Sequence, residues 1–308
     1  MGLRSQLADS LQQKYRKADF WVHVFLFVCL AVVFWPMTRW VAGTAHEQSR
    51  ILHAFVVLCM ATVLLIRFGG VEIREVLTMN RPARHALLAT YGLLFGSILL
   101  RTLLPAQSLY GSLTMATLSI AAYCSALAAV VFFVFGDGVR RVVFTAVSTF
   151  GAFLLLSLFM GPLDWPLRSL AGKWSGQVLH WLGQSVEMGL WNQPSEPPML
   201  ILLVNDHPFH VASECNGFGV ILTSLLLALL LSIYRRLGPG DLTMNLIAGI
   251  ALGFVFNTLR IICIVLLAPH MMKHYHLMHE IVGGITFWLC LVIVWVSLKG
   301  PIREENSP

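Results

Sequence analysis

The chain has 308 residues, of which 57% are hydrophobic and 12% are charged, and its mean hydropathy is +0.76. Soluble domains contain about 25% charged residues, so this composition excludes an ordinary water-soluble protein and predicts an all-α polytopic membrane protein. The net charge of +6 is spread over short segments rather than one face, and it therefore gives no support to nucleic-acid binding.

Eight apolar runs of about 20 residues are long enough to cross a membrane as helices. They are predicted at 20–37, 51–68, 85–104, 113–136, 142–161, 216–234, 242–268 and 279–298. The first run follows a charged leader that lacks a small-residue cleavage site, so we interpret it as a retained span rather than as a signal peptide.

The runs divide the chain into four segments. Residues 1–19 are predicted to form a cytoplasmic leader, 20–161 a scaffold of five spans, 162–298 the region that carries chemistry, and 299–308 a cytoplasmic tail. The first five spans carry few polar residues and contain small residues suited to close helix packing, namely Gly92, Gly96, Ser97 and Ser125.

Orientation follows from lysine and arginine, which concentrate in cytoplasmic loops. With both termini inside, 14 of the 21 basic residues lie on the cytoplasmic side. These are Arg4, Lys14, Arg16, Lys17, Arg67, Arg74, Arg81, Arg84, Arg140, Arg141, Arg235, Arg236, Lys299 and Arg303. The opposite orientation reverses the bias, so the sequence predicts an N-in, C-in protein.

The segment 162–213 is predicted to lie outside the membrane core, on the outer side. Apolar residues recur at helical spacing from Leu167 to Leu182, which predicts a helix in the outer interface in contact with lipid. Residues 199–204 and 208–213 are predicted as the two strands of a short hairpin between the fifth and sixth spans. This hairpin either offers a strand edge to an extended peptide or caps the helix bundle, and the sequence leaves both open.

Cys215 follows the hairpin, within the sequence Glu214-Cys215-Asn216-Gly217. At the first turn of a membrane helix, the helix dipole and the unpaired backbone N–H groups favour a thiolate. The alternative interpretation is that Cys215 acts only as a small apolar residue at a helix start. The other cysteines lie inside apolar runs and show neither metal-ligand spacing nor a disulfide framework; they are Cys29, Cys59, Cys124, Cys263 and Cys290.

The seventh span carries polar residues on a glycine-lined face. Gly249, Gly253, Asn257 and Arg260 follow a spacing that places them along one side of a helix. Arg260 lies about 27 Å along the helix from the start of the span, close to the outer boundary. An arginine within a span is usually paired or functional. The alternative, snorkelling to lipid headgroups, agrees poorly with a face shared with glycines.

Four histidines lie at or near the start of the eighth span. His270, His274 and His276 fall in the loop 269–278, and with Glu280 they suggest a metal site, but their spacing is more typical of solvent-exposed loop histidines. His279 differs because it begins a helical face that is continued by Gly283, Thr286 and Cys290. We therefore expect His279 at the depth of Cys215 and Arg260, and no bound metal.

A cysteine, an arginine and a histidine are thus predicted at the outer ends of three successive spans. The cysteine supplies a nucleophile, the histidine can move a proton near neutral pH, and the arginine can neutralise charge developing on a carbonyl oxygen. This set is sufficient for thioacyl chemistry on an amide bond.

Three motifs carry a resemblance to a known family. Glu214-Cys215-Asn216-Gly217, the Asn257-x-x-Arg260 pair and His279-x-x-x-Gly283 resemble the exosortase/archaeosortase family, over residues 162–298 in particular. The resemblance implies a multi-spanning cysteine peptidase/transpeptidase with Cys215 as nucleophile, Arg260 as the cation and His279 as the third catalytic residue. Glu214, Asn216, Gly217, Asn257 and Gly283 support them.

The resemblance also implies the biological setting. Substrates are exported proteins whose C-terminal sorting signal consists of a short motif, such as Pro-Glu-Pro, a hydrophobic helix and a basic tail. The enzyme lies in the bacterial inner membrane with its site outside, and it needs no cofactor. Two alternatives remain: a membrane cysteine endopeptidase that only hydrolyses, and a non-enzymatic transporter. A transporter predicts internal repeats or polar residues at mid-membrane, whereas here the polar residues cluster at one end.

Overall fold

The computed structural model describes residues 3–47, 56–63, 66, 76–103, 109–158, 160–191, 199–211 and 217–301. The chain is mostly helical and divides into two compact units, Met1–Leu155 and Leu156–Pro308.

The first unit is built from helices. They are α1 (Leu3–Lys14), α2 (Ala18–Val33), α3 (Trp35–Glu47), α4 (Arg81–Leu103), α5 (Leu109–Phe135) and α6 (Arg140–Ser157), and 56–63 is helical as well. Asn80 caps α4, because its Oδ1 accepts a hydrogen bond from the Ala83 amide at 2.8 Å. Its Nδ2 donates to the Phe132 carbonyl at 3.0 Å, which ties the start of α4 to the end of α5.

The second unit combines helices with a small sheet. Its elements are α7 (Met160–Trp181), β1 (Val186–Trp191), β2 (Met199–Val204), β3 (His207–His210), α8 (Phe218–Tyr234), α9 (Pro239–Leu267) and α10 (Tyr275–Leu298). Two short 3-10 turns, Ala268–His270 and Met272–His274, connect α9 to α10.

The sheet is antiparallel in the order β1-β2-β3. Val204 pairs with His207 across a two-residue turn, in which Asn205 and Asp206 have φ angles of 49° and 64°. Positive φ at both central residues is the geometry of the tight hairpin turn that asparagine and aspartate tolerate. Alternate residues of β2 are buried, and they pack on α7 and α9 in a core cluster: Ala171, Leu179, Leu200, Leu202, Val204, Val211, Ile261, Ile262 and Val265.

The sheet differs from the two strands predicted. β1 was not predicted, because it is short and contains Glu187 and Gly189, two residue types that are depleted in strands. β3 ends at His210, although the Val211 amide still bonds to the Leu200 carbonyl at 2.9 Å. The rest of the predicted strand, from residue 212, lies outside the described residues.

In the described part of the chain, five helices are long and apolar enough to cross a membrane: α4, α5, α6, α9 and α10. They correspond to predicted spans three, four, five, seven and eight. The first predicted span, 20–37, covers most of α2 and the start of α3, and these two helices are bent by 52° relative to each other. The bend precedes Pro36, which has no amide hydrogen to continue the helical bonding. Half of the second predicted span, 51–68, lies outside the described residues, and the part at 56–63 is helical. The sixth predicted span corresponds to α8, a shorter apolar helix of 17 residues.

Candidate active site

The site is organised by the close packing of α8 against α9. A Cβ atom added at Gly253 would lie 2.7 Å from the Ile221 Cα, and one at Gly249 would lie 3.0 Å from the Ser224 carbonyl oxygen. Only glycine allows two backbones to approach this closely. The glycine face predicted on the seventh span is therefore confirmed, and it faces α8.

Asn257 continues this face by one turn and meets the start of α8. The side chain is 1% exposed, and a Cβ atom added at Gly217 would lie 2.6 Å from both the Cγ and the Nδ2 of Asn257. Gly217 is the N-cap of α8 and has a φ of 74°, in the left-handed region that favours glycine. Glycine is thus required at 217 both by backbone conformation and by the asparagine packed against it.

Arg260 lies three residues further along α9 and turns toward α10. A Cβ atom added at Gly283 would lie 3.1 Å from the Arg260 Nε, 3.2 Å from Nη2 and 3.3 Å from Cζ. The guanidinium group therefore rests directly on the α10 backbone. The residue is half-buried, which agrees with an inward face rather than with full exposure to lipid or solvent. The predicted face is thus shared between two neighbours, since Gly249, Gly253 and Asn257 meet α8 whereas Arg260 meets α10.

His279 lies in the first turns of α10, one helical turn before Gly283. It is half-buried, and its ring lies 6.2 Å from the Tyr275 ring. Because four residues rise about 6 Å, the histidine backbone is about one turn nearer the 268–274 turns than the Arg260–Gly283 contact. That His279 lies at the depth of Cys215 and Arg260 stays a prediction, because Cys215 is outside the described residues.

The remainder of the predicted α10 face is also turned inward. Thr286 and Cys290 are buried, and the Cys290 Sγ lies 3.3 Å from the Ser224 Oγ of α8. The three histidines predicted in the loop, His270, His274 and His276, are exposed as predicted, although His276 lies in the first turn of α10. Among the described residues, no group of three or more histidine, cysteine or acidic side chains is placed to hold a metal ion.

Three predicted site residues cannot be placed in the same way. Glu214, Cys215 and Asn216 lie outside the described residues, which resume at Gly217. The described α8 begins at Phe218, later than the predicted start at 216, because the left-handed conformation of Gly217 is incompatible with a continuing helix.

The way in which the sheet is fixed to this end of the helices was not predictable from the sequence. Phe209 of β3 packs against a buried cluster formed by Ile264, Ala268 and Met278, which lie at the end of α9 and the start of α10. The sequence offers one signal for this contact, which is the single aromatic residue in the short stretch that forms β3. Its contact joins the strand that leads toward residue 215 to the helices that carry Arg260 and His279.

Comparison with known proteins supports one family. The sequence model described as Transmembrane exosortase matches residues 47–296, which is most of the chain. The chain belongs to the transmembrane exosortase family. No curated protein and no solved structure gives a significant match. Family membership and the apolar helices together make this exosortase a multi-pass membrane protein, consistent with a membrane protein-processing enzyme.

Proposed function

We propose that this exosortase is a cysteine peptidase/transpeptidase that cleaves exported proteins at a C-terminal sorting signal. The observation that carries the proposal is the placement of Arg260. Its guanidinium group contacts Gly283, which lies one helical turn from His279. On α9, Arg260 lies three residues from Asn257, which contacts Gly217.

Chain connectivity supports a position of the Cys215 nucleophile near the same end of α9. Cys215 is two residues from Gly217, and two residues span at most about 7 Å when fully extended. Asn257 and Arg260 are separated by about 4.5 Å along α9. The thiol is proposed to lie near the arginine, because Cys215 is two residues from the glycine that Asn257 contacts. Half-burial of Arg260 strengthens its interaction with a developing negative charge, since water screens it less.

The chemistry then proceeds in two steps. The Cys215 thiol gives its proton to His279, and the sulfur attacks the scissile carbonyl carbon to form a tetrahedral intermediate whose oxyanion is stabilised by Arg260. The C–N bond breaks, the leaving amine takes the proton from His279, and the acyl group remains on sulfur as a thioester. Water or an acceptor amine next gives a proton to His279 and attacks the thioester. The C–S bond breaks, and the sulfur recovers the proton.

The setting of this reaction is proposed from the resemblance and the charge distribution. Eight spans with both termini in the cytoplasm place the site on the outer side of the bacterial inner membrane, where an exported substrate arrives. α7, with Trp174 and Trp181 exposed, is proposed to lie in the outer interface against lipid. The substrate signal consists of a short motif such as Pro-Glu-Pro, a hydrophobic helix and a basic tail, and no cofactor takes part.

The test uses a tagged secreted reporter that carries such a signal, expressed with the full-length enzyme. Cys215→Ala is expected to abolish cleavage at unchanged membrane levels, because no other group replaces the thiolate. Cys290→Ala is the matched control, because Cys290 is a buried residue of α10 whose Sγ lies 3.3 Å from the Ser224 Oγ of α8. Cleavage that persists in Cys215→Ala would reject the proposed function. A membrane-impermeant thiol reagent that labels Cys215 only in opened cells would reject the orientation.

The fate of the product separates the two enzymatic alternatives. Transpeptidation predicts that the cleaved reporter carries an added mass at its new C-terminus. A free C-terminal carboxylate, found with acceptor-containing membranes present, assigns the enzyme to hydrolysis.

A further inference from the structure

We propose that one end of the first unit binds anionic phospholipid, through exposed cations that lie close to lipid-facing apolar side chains. These cations form what we call the basic rim: Arg16, Lys17, Arg81, Arg84 and Arg140. The inference is independent of the proposed cleavage reaction, because every residue on which it rests lies in the first unit.

Hydrogen bonds and apolar packing bring the segments of the basic rim to one end of the unit. The Lys14 Nζ donates to the carbonyl oxygens of Val76 at 2.9 Å and Leu77 at 3.1 Å, which ties the end of α1 to the segment before α4. The Thr78 amide donates to the Phe133 carbonyl oxygen at 3.1 Å, which ties the same segment to the end of α5. The starts of α2, α4 and α6 meet the end of α5 in one buried cluster: Phe20, Ala83, Phe132, Phe133, Val139 and Val143.

On α4, the cations continue an exposed apolar stripe. Arg81, Leu88 and Phe95 follow each other at intervals of seven residues, which places them on one side of the helix. Leu88 is 63% exposed and Phe95 is 70% exposed, and Arg84 lies one turn before Leu88. In a multi-pass membrane protein, such a stripe contacts acyl chains. The two arginines at its end are therefore placed at the depth of the lipid headgroups.

The start of α6 repeats the arrangement. Arg140 is the first residue of this helix, and Phe144 follows four residues later on the same side. The Phe144 side chain is 65% exposed. A cation is thus again followed, after one helical turn, by an apolar side chain that faces lipid.

The segment before α2 supplies aromatic residues at the same depth. The Trp21 Nε1 donates to the Tyr15 carbonyl oxygen at 2.7 Å, and the Arg16 Nε donates to the Tyr15 Oη at 2.8 Å. Both aromatic rings are exposed, and Lys17 precedes Trp21 by four residues. Exposed tyrosine and tryptophan side chains are typical of the level of the headgroups.

The ligand that fits this surface combines a negative headgroup with apolar chains. Guanidinium groups bind phosphate oxygens through charge-assisted hydrogen bonds, and the stripes contact acyl chains. Within 15–21, 81–84 and 137–140, the exposed carboxylates are Asp19 and Asp137, so the rim keeps a net positive charge. A nucleic acid or an acidic protein matches the charge but leaves the neighbouring apolar side chains without a partner. The combination favours an anionic phospholipid.

The first test uses the wild-type, full-length protein. Lipid retention is measured by native mass spectrometry after titration with palmitoyl-oleoyl phosphatidylglycerol or with palmitoyl-oleoyl phosphatidylcholine, which share acyl chains and differ in headgroup charge. Phosphatidylglycerol is expected to be retained preferentially, and the preference should fall as the salt concentration rises, because salt screens exposed charges. Equal retention of the two lipids, or a preference that salt leaves unchanged, would overturn the inference.

Two charge-matched variants then locate the binding surface. The rim variant combines three substitutions: Arg81→Gln, Arg84→Gln and Arg140→Gln. The control variant removes three exposed cations outside the rim: Arg39→Gln, Lys273→Gln and Lys299→Gln. Each cation beside an anionic lipid surface contributes roughly five-fold to binding, so the rim variant should bind phosphatidylglycerol roughly 10²-fold more weakly, with phosphatidylcholine retention unchanged.

The control variant should retain phosphatidylglycerol as the wild type does. An equal loss in both variants would place the lipid elsewhere and overturn the inference. If thermal unfolding in detergent shows that the rim variant is not folded, Arg140→Gln alone is compared with Arg39→Gln, and a roughly five-fold difference is expected. Equal binding by those two single variants would likewise overturn the inference.

Discussion

Gly283 offers a direct way to move the proposed catalytic arginine without removing it. In Gly283→Ala the new methyl group meets three atoms of the Arg260 guanidinium group at 3.1 to 3.3 Å. Carbon and nitrogen atoms in comfortable contact lie about 3.5 Å or more apart, so the group must retreat by a few tenths of an ångström. The fold tolerates this change, because alanine is a better helix former than glycine by about 1 kcal/mol.

The expected loss of activity follows from that displacement. Complete removal of an oxyanion donor costs about 2.7–4 kcal/mol of barrier, and a misplacement of about 1 Å costs roughly 10²-fold. A shift of a few tenths of an ångström is therefore expected to lower kcat by about 10-fold, or about 1.4 kcal/mol, with little change in KM.

The matched control for Gly283 is its neighbour. Gly284 lies in the same turn of α10, and an added Cβ atom there meets nothing within 4 Å. Gly284→Ala gains the same helix propensity and should retain full activity. Full activity in Gly283→Ala, or an equal loss in Gly284→Ala, would refute the proposal that Arg260 acts from its position against the α10 backbone.

Three further predictions concern the same helices. Gly253→Ala should destabilise the unit and lower its unfolding temperature, because the new Cβ atom lies 2.7 Å from the α8 backbone, whereas Gly240→Ala meets open space and should melt as the wild type does. Arg260→Lys should keep the charge but lose the planar fork, so a tagged reporter should still co-purify with the variant yet remain largely uncut; normal cleavage would leave Arg260 without a catalytic role. His279→Ala should abolish cleavage while His274→Ala, in the exposed turn, should not, and the reverse result would move proton transfer into that turn.

The helical face of α9 was predictable from the sequence because periodicity constrains it directly. At their spacing, Gly249, Gly253 and Asn257 lie on one surface of a helix. The small residues on that surface allow close packing. The division of the face was not predictable. Arg260 is offset by less than a turn from Asn257, and only the positions of α8 and α10 decide that it turns away from the first and toward the second.

Strands and helix starts were harder to predict for a different reason. β1 has little strand signal of its own and exists through its pairing with β2, a partner that local sequence does not reveal. The start of α8 is set by the left-handed conformation of Gly217, which in turn depends on a side chain 40 positions away in α9. The tight turn at Asn205-Asp206, by contrast, is recognisable from sequence, since its two residues are those that tolerate positive φ.

The proposed mechanism passes through a thioester between Cys215 and the substrate, and this intermediate can be trapped. The reporter and the full-length enzyme are mixed, quenched in acid within one turnover, digested and analysed by mass spectrometry. An acyl adduct is expected on the peptide that contains Cys215. The adduct should be released by neutral hydroxylamine as a hydroxamate, absent in Cys215→Ala, and slower to form in Gly283→Ala than in Gly284→Ala. An adduct on any other residue, or product formation by Cys215→Ala without an adduct, would contradict the proposed thioester mechanism.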